Sequence, residues 1–180
     1  PALENAVENV FLSPGVMTAS QTFSPAELLA PITLAEFFAN YWEQRPLRVE
    51  RNQPGFYDAI LSVEALDRHL LSRQLPACFI NVVRDAQPVA MDQWTRVPSS
   101  AEKKCPPPWL AVPEALWREY LPGATLIFNA TDDCLPTLME FFGTLSREWC
   151  LDVQTNLYLT PPRAQGFAPH YDSHCVLILQ

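Results

Sequence analysis

His170 and Asp172 are the residues whose types and spacing point most directly to chemistry. One residue separates them, and on a β-strand positions i and i+2 project to the same face. An imidazole nitrogen and a carboxylate oxygen placed side by side can take adjacent positions on a metal ion. With a further, distant histidine they complete the two-His-one-carboxylate set that holds Fe(II) and leaves positions open for other ligands. The pair alone is a weak signal, because so short a motif recurs by chance. His174 falls on the same alternating face. At about 3.3 Å of rise per residue it points past such a metal, and it is read as a polar neighbour. His69 sits beside Arg68 in a helical pattern and is read as solvated.

A second pair precedes the first. The run Val153 to Leu159 alternates with period two, as a half-buried strand does. Val153, Thr155, Leu157 and Leu159 face one way, and Gln154, Asn156 and Tyr158 the other. If buried, Asn156 and Tyr158 need hydrogen-bond partners, and a carboxylate ligand would supply one.

The seventeen residues from Asn156 to Asp172 follow the pattern N-x-Y-x-T-P-P-x-x-x-G-F-x-x-H-x-D without a gap. This tract resembles the JmjC proteins of the cupin-like, ribosomal-oxygenase group. Tyr41-Trp42-Glu43-Gln44-Arg45-Pro46-Leu47 resembles the N-terminal signature of that group, and Gly123 to Asn129 resembles the strand before its central helix. The resemblance runs from about residue 31 to residue 180.

The resemblance implies an α+β fold, in which a helical N-terminal region leads into a double-stranded β-helix of the cupin or jelly-roll kind. Residues 1–16 are read as a leader or an added segment before Met17. Residues 17–180 are read as the N-terminal part of a JmjC/cupin-like domain, ending after the His170 to Gln180 strand. The implied activity is that of an Fe(II)- and 2-oxoglutarate-dependent oxygenase, hydroxylating a side chain of a protein or peptide, with ribosomal proteins among the candidates. His170 and Asp172 match two iron ligands. Asn156 and Tyr158 match positions lining the 2-oxoglutarate pocket, where the tyrosine hydroxyl binds a cosubstrate carboxylate. The group also carries a basic residue just past the metal strand and a second metal histidine much further on, and neither falls within these 180 residues. The chain is therefore expected to hold two of three iron ligands and to be part of a longer protein. The alternative is a non-catalytic cupin-like binding module. A metal-dependent isomerase or storage cupin is the other, and the Asn-x-Tyr strand argues against it.

The bulk properties agree with a globular domain. Apolar residues make up 48% and charged residues 18% of the chain, which excludes a disordered one. The net charge of -8 argues against nucleic acid, whose phosphates need clustered Lys and Arg. A protein or peptide partner fits better, and a homodimer is left open. No apolar run approaches the roughly 20 residues of a membrane span. The five cysteines are odd in number and form no CxxC pair, which reads as reduced thiols in a cytoplasmic protein.

These residues need elements to position them. Thr33 to Glu36 reads as a capping box, opening a helix with Leu34, Phe37, Phe38, Tyr41 and Trp42 on one face and Pro46 near its end. A second helix is predicted from Ser62 to Ser72 on Val63, Leu66, Leu70 and Leu71. Phe79 to Val83 reads as a buried strand, and residues 84–112 as an irregular stretch holding Cys105-Pro106-Pro107-Pro108. Pro113 suits the first position of a helix through Tyr120. Ala124 to Asn129 follows as a strand. Leu135 to Leu151 reads as the clearest helix, with Leu138, Phe141, Phe142, Leu145 and Trp149 spaced for burial and Asp132-Asp133 as its cap. Pro161-Pro162 ends the Val153 strand. Trp94, Trp109 and Trp117 are assigned to the core, Cys175 to a buried position, and Arg163 to the surface.

Overall fold

The computed structural model describes residues 23–72, 75–97, 109–131 and 135–180. Met17 and the segment before it, Cys105 to Pro108, and Asp132-Asp133 lie outside the described residues.

Two short helices, α1 (Pro25–Leu29) and α2 (Leu34–Asn40), open the fold. The capping box holds at α2. The Glu36 amide donates to Thr33 Oγ1 at 3.2 Å, and the Thr33 amide donates to Glu36 Oε2 at 2.9 Å. The hydrogen bond from the Thr33 backbone, more than that from its hydroxyl, holds the Glu36 carboxyl below its ordinary value. Arg51 supplies the other end of α1. Its Nη2 donates to the Glu27 and Leu28 carbonyls at 2.6 Å each, satisfying acceptors that a helix end leaves open. Its guanidinium also lies 4.3 Å from the Phe56 ring centre.

Helix α3 (Val63–Ser72) buries Leu66 and Leu70. Val63 and Leu71, expected on the same buried face, are exposed instead. Val63 is the first residue of the helix, at its open end, and Leu71 lies about 100° round the helix from Leu70, away from the buried stripe. His69 is half-buried, not solvated.

The sheet has the order β2-β1-β5-β6 and is antiparallel throughout. Its strands are β1 (Ile80–Arg84), β2 (Gln87–Pro88), β5 (Thr125–Phe128) and β6 (Leu157–Leu159). The described residues of the stretch 84–112 are less irregular than the sequence suggests. They hold β2 and a separate two-stranded pair of β3 (Thr95–Arg96) with β4 (Leu110–Ala111). Strands of two residues carry no periodicity for a sequence to display.

Helix α4 (Pro113–Tyr120) begins at its proline as predicted, and Arg84 Nη2 ties it to β1 through Glu119 Oε2 at 2.8 Å. Helix α5 (Pro136–Trp149) buries Leu138, Phe141, Leu145 and Trp149, and Cys150 closes it in the left-handed conformation. Its N-cap position is Leu135, which offers no side-chain cap.

Two apolar clusters result. One face of the sheet, through Ile80, Val82, Leu126 and Phe128, packs on Leu66 and Leu70 of α3, Leu116 of α4, and Trp94. The helical cluster joins α1, α2 and α5 around Leu28, Leu29, Phe141 and Trp149. Phe37 and Phe38 both meet the Trp149 ring, at 5.6 and 6.1 Å. Trp94 is core as expected, and the Trp117 indole donates to Asp67 Oδ1 at 3.1 Å. Trp109 is 44% exposed and does not belong to the core. The described residues are thus α+β: three helices come first, and α4 and α5 then alternate with the antiparallel strands, so the helices do not all precede the strands.

Candidate functional site

The site is built on the sheet face opposite the α3/α4 core. Side chains alternate across a strand, so with Ile80, Val82, Leu126 and Phe128 turned to the core, Asn81, Val83, Thr125 and Ile127 turn away. The alternation predicted around β6 holds across residues 151–160, where half-buried and exposed positions follow each other without interruption. Leu157 and Leu159 pack on the core. Asn156, Tyr158 and Thr160 face outward and are exposed, so at Asn156 and Tyr158 water can serve as partner. Asn156 Oδ1 also accepts from the Ala130 amide at 3.3 Å. Strand register aligns Asn81, Ile127 and Tyr158 in one row.

The segment 161–169 folds back over this face as a strap. Thr160 and Thr125 hydroxyls meet at 2.9 Å at its start. Further along, the Ala86 amide, at the tip of the β1–β2 turn, donates to the Gly166 carbonyl at 3.2 Å. Gly166 itself approaches Thr125 so closely that a Cβ there would lie 2.8 Å from Thr125 Oγ1. Real Cβ atoms do not come that near, so glycine is required for the strap to touch the sheet. Arg163 adopts a φ of 65° at the strap's turn and is exposed, as assigned.

Past the anchor, Phe167 stands edge-on to two candidate residues. Its ring centre is 6.4 Å from that of Tyr158 and 5.6 Å from that of His170, with interplanar angles of 74° and 71°. These are favourable T-shaped geometries. His170 Nδ1 lies 3.0 Å from the Ala168 carbonyl. A carbonyl only accepts, so Nδ1 is the donor in this contact, and in the neutral ring Nε2 then carries the lone pair.

Asp172 is not organised in the same way. The strand expected from His170 to Gln180 is absent, and the segment is irregular, exposed but for a half-buried Leu179 that packs on the helical cluster. A strand exists through its ladder of backbone hydrogen bonds, and no described strand pairs with these residues. His174 and Cys175 are exposed too, Cys175 against expectation, because without the strand there is no inner face to bury it. The i, i+2 rule therefore does not place His170 and Asp172 on a common face here.

The donor types nonetheless suit ferrous iron: one imidazole nitrogen with its other nitrogen already committed, and one carboxylate. The number is short. Among the described residues no group of three His, Cys, Asp or Glu could hold a metal ion. The sequence reading did not single out Asn81, Gly166 or Phe167. Asn81 could have been found as the polar position within an apolar strand. Gly166 and Phe167 lay inside the quoted motif, but only tertiary contact shows their use.

Residues 134–180 match the family model of the JmjC domain. The bifunctional lysine-specific demethylase and histidyl-hydroxylase NO66 of Drosophila mojavensis is 31% identical over 154 residues, covering 85% of this chain and 16% of that protein. Ribosomal oxygenase 1 of Rattus norvegicus is 30% identical over 153 residues, 85% of this chain and 24% of its own length. The NO66 protein of Aedes aegypti is 26% identical over 176 residues, covering 98% of this chain and 26% of that protein. The chain thus spans about a quarter or less of the length of these relatives.

Proposed function

The chain belongs to the JmjC-domain, ribosomal-oxygenase-like family, and from that premise we propose that it forms part of an Fe(II)- and 2-oxoglutarate-dependent oxygenase acting on a protein side chain. The observation that carries the reading is the outward sheet face, where Tyr158, Phe167 and His170 make ring contact in sequence. In this reading His170 offers Nε2 and Asp172 a carboxylate oxygen to iron, as two of three protein ligands. Iron held there would supply the site at which O2, the oxidant, is reduced by two electrons from 2-oxoglutarate and two from a substrate C–H bond, giving succinate, CO2 and a hydroxylated product. Tyr158 donates its hydroxyl to a carboxylate of the cosubstrate, and Asn156 lines the same pocket. The strap shields one side of the face from water. The curated relatives are named as histidyl-hydroxylases, lysine demethylases and a ribosomal oxygenase, and a ribosomal or other basic protein substrate is consistent with the net charge of -8 here. The alternative, a non-catalytic cupin-like binding module, is favoured by one observation, that no group of three metal donors occurs among the described residues.

The test uses the longest natural form of the protein. Anaerobic titration with Fe(II) and 2-oxoglutarate is expected to give a charge-transfer band, and addition of O2 to give succinate. Both should be lost in His170→Ala while the circular dichroism spectrum stays unchanged. A natural-length protein that yields neither band nor succinate, yet retains a peptide partner, is the binding module.

A further inference from the structure

We propose that Phe167 is a positioning residue, whose ring holds the His170 imidazole beside the Asn156–Tyr158 face. The inference rests on the reading of His170 as a metal ligand and names what fixes that ligand in space. Three observations carry it. First, Phe167 is the residue next to the point where the strap is pinned: Gly166 sits against Thr125, itself 1% exposed, and accepts from the Ala86 amide. Its backbone therefore starts from a fixed position. Second, its ring meets both Tyr158 and His170 edge-on, at 6.4 and 5.6 Å. Third, Phe167 remains 42% exposed, so burial alone does not account for an aromatic ring at this place. The Ala168 carbonyl then sets the ring's tautomer, and Phe167 sets its place. Hydrogen-bonded partners that orient a ligand commonly change metal affinity about 10- to 100-fold when removed, and a ring contact is expected to act at the lower end of that range.

The experiment uses the whole 180-residue chain, with Co(II) alone as the probe and NMR of the imidazole protons as the second readout. The chain has three histidines, and the His170 signals are identified by their loss in His170→Asn. In Phe167→Ala the His170 ring protons are expected to lose their ring-current displacement, and the Kd for Co(II) to rise about tenfold. The His69 signals, far along the chain, should not move. Phe167→Tyr is expected to restore both readouts. Phe167→Leu keeps apolar bulk and should still lose the displacement, which separates ring geometry from folding. If the His170 protons stay where they are and the Kd changes less than twofold in Phe167→Ala, the inference is overturned. A His170→Ala chain that binds Co(II) as the parent does overturns the ligand reading and this inference with it. If His170→Ala abolishes binding while Phe167→Ala leaves it intact, the positioning role alone fails.

Discussion

Replacing Gly166 with alanine tests whether the strap truly touches the sheet. A Cβ at this position would lie 2.8 Å from Thr125 Oγ1, 3.1 Å from its Cβ and 3.3 Å from its Cγ2. Thr125 cannot retreat. It lies in β5 between β1 and β6, and its hydroxyl is engaged with Thr160 at 2.9 Å. The strap must lift, and lifting stretches the bond from the Ala86 amide to the Gly166 carbonyl. Overpacking of this kind costs about 1–3 kcal/mol, and the lost hydrogen bond adds roughly 0.5–1.5 kcal/mol. Against this, alanine restricts the unfolded chain, a gain of about 0.4–1 kcal/mol. Destabilisation wins, by roughly 1–3 kcal/mol, or about 2–4 °C of Tm per kcal/mol for a domain of this size. Urea and thermal unfolding of the variant measure it directly. Combining it with Thr125→Ala removes the two side-chain atoms Oγ1 and Cγ2, so the double variant should recover at least about 0.5 kcal/mol relative to the sum of the singles. A Gly166→Ala chain that is as stable as the parent, or more stable, would show that no such contact exists.

Two further substitutions probe the supports around this face. Asp85 and Ala86 form the two-residue β1–β2 turn with φ of 50° and 60°, the geometry that favours glycine at the second position. Ala86→Gly should therefore raise stability by about 0.5–1 kcal/mol, read as a higher urea midpoint, and a lower midpoint would contradict the turn assignment. Thr33→Ala removes the α2 cap and should cost about 1 kcal/mol. The pH profile gives an independent check. Because the Thr33 hydrogen bonds lower the Glu36 pKa from 4.5, their stabilisation is present above that value and lost as pH falls through the lowered one. The alanine variant keeps the backbone donor to Glu36, and the lost bond from the Glu36 amide to Thr33 Oγ1 does not titrate. The gap between parent and Thr33→Ala should therefore narrow on acidification only by the share of the hydroxyl bond to Glu36, and a gap that widens as pH falls would contradict this account.

Much of this architecture was legible because its signals are local. Pro113 begins α4 as the proline preference for a first helical position suggests. The α5 stripe of Leu138, Phe141, Leu145 and Trp149 needed only helical spacing to be read. Thr33 and Glu36 cap α2 through a bond three residues long. The misreadings share another origin. Val63 and Leu71 are apolar at plausible helical positions, but whether a helix's first residue or the side of its stripe is covered depends on where the facing elements end. Trp109 looked like core on the strength of its size, and its exposure reflects where β4 runs along the fold. At the candidate site, Asn156 and Tyr158 were placed on one face by alternation, and they share it. The strap contacts of Gly166 and Phe167 depend on chain return, which no local pattern encodes.

The contrast between residues 151–160 and 170–180 sharpens what alternation can mean. Both segments read as strands in the sequence, yet only the first displays two faces. It has β5 beside it, pairing Leu126 with Leu159 and Ile127 with Tyr158. Alternation fixes faces only once a neighbour fixes the backbone, because an unpaired segment must satisfy its amides in water and is free to turn. The inference that His170 and Asp172 point together is thus a statement about a pairing partner as much as about these two residues. What holds His170 meanwhile is short-range: the Ala168 carbonyl and the Phe167 ring, both within three residues of it. Asp172 has no comparable support among the contacts described. Metal affinity of this chain should accordingly depend far more on His170 than on Asp172, and the two should become comparable only when a neighbouring strand pairs with the segment that carries them.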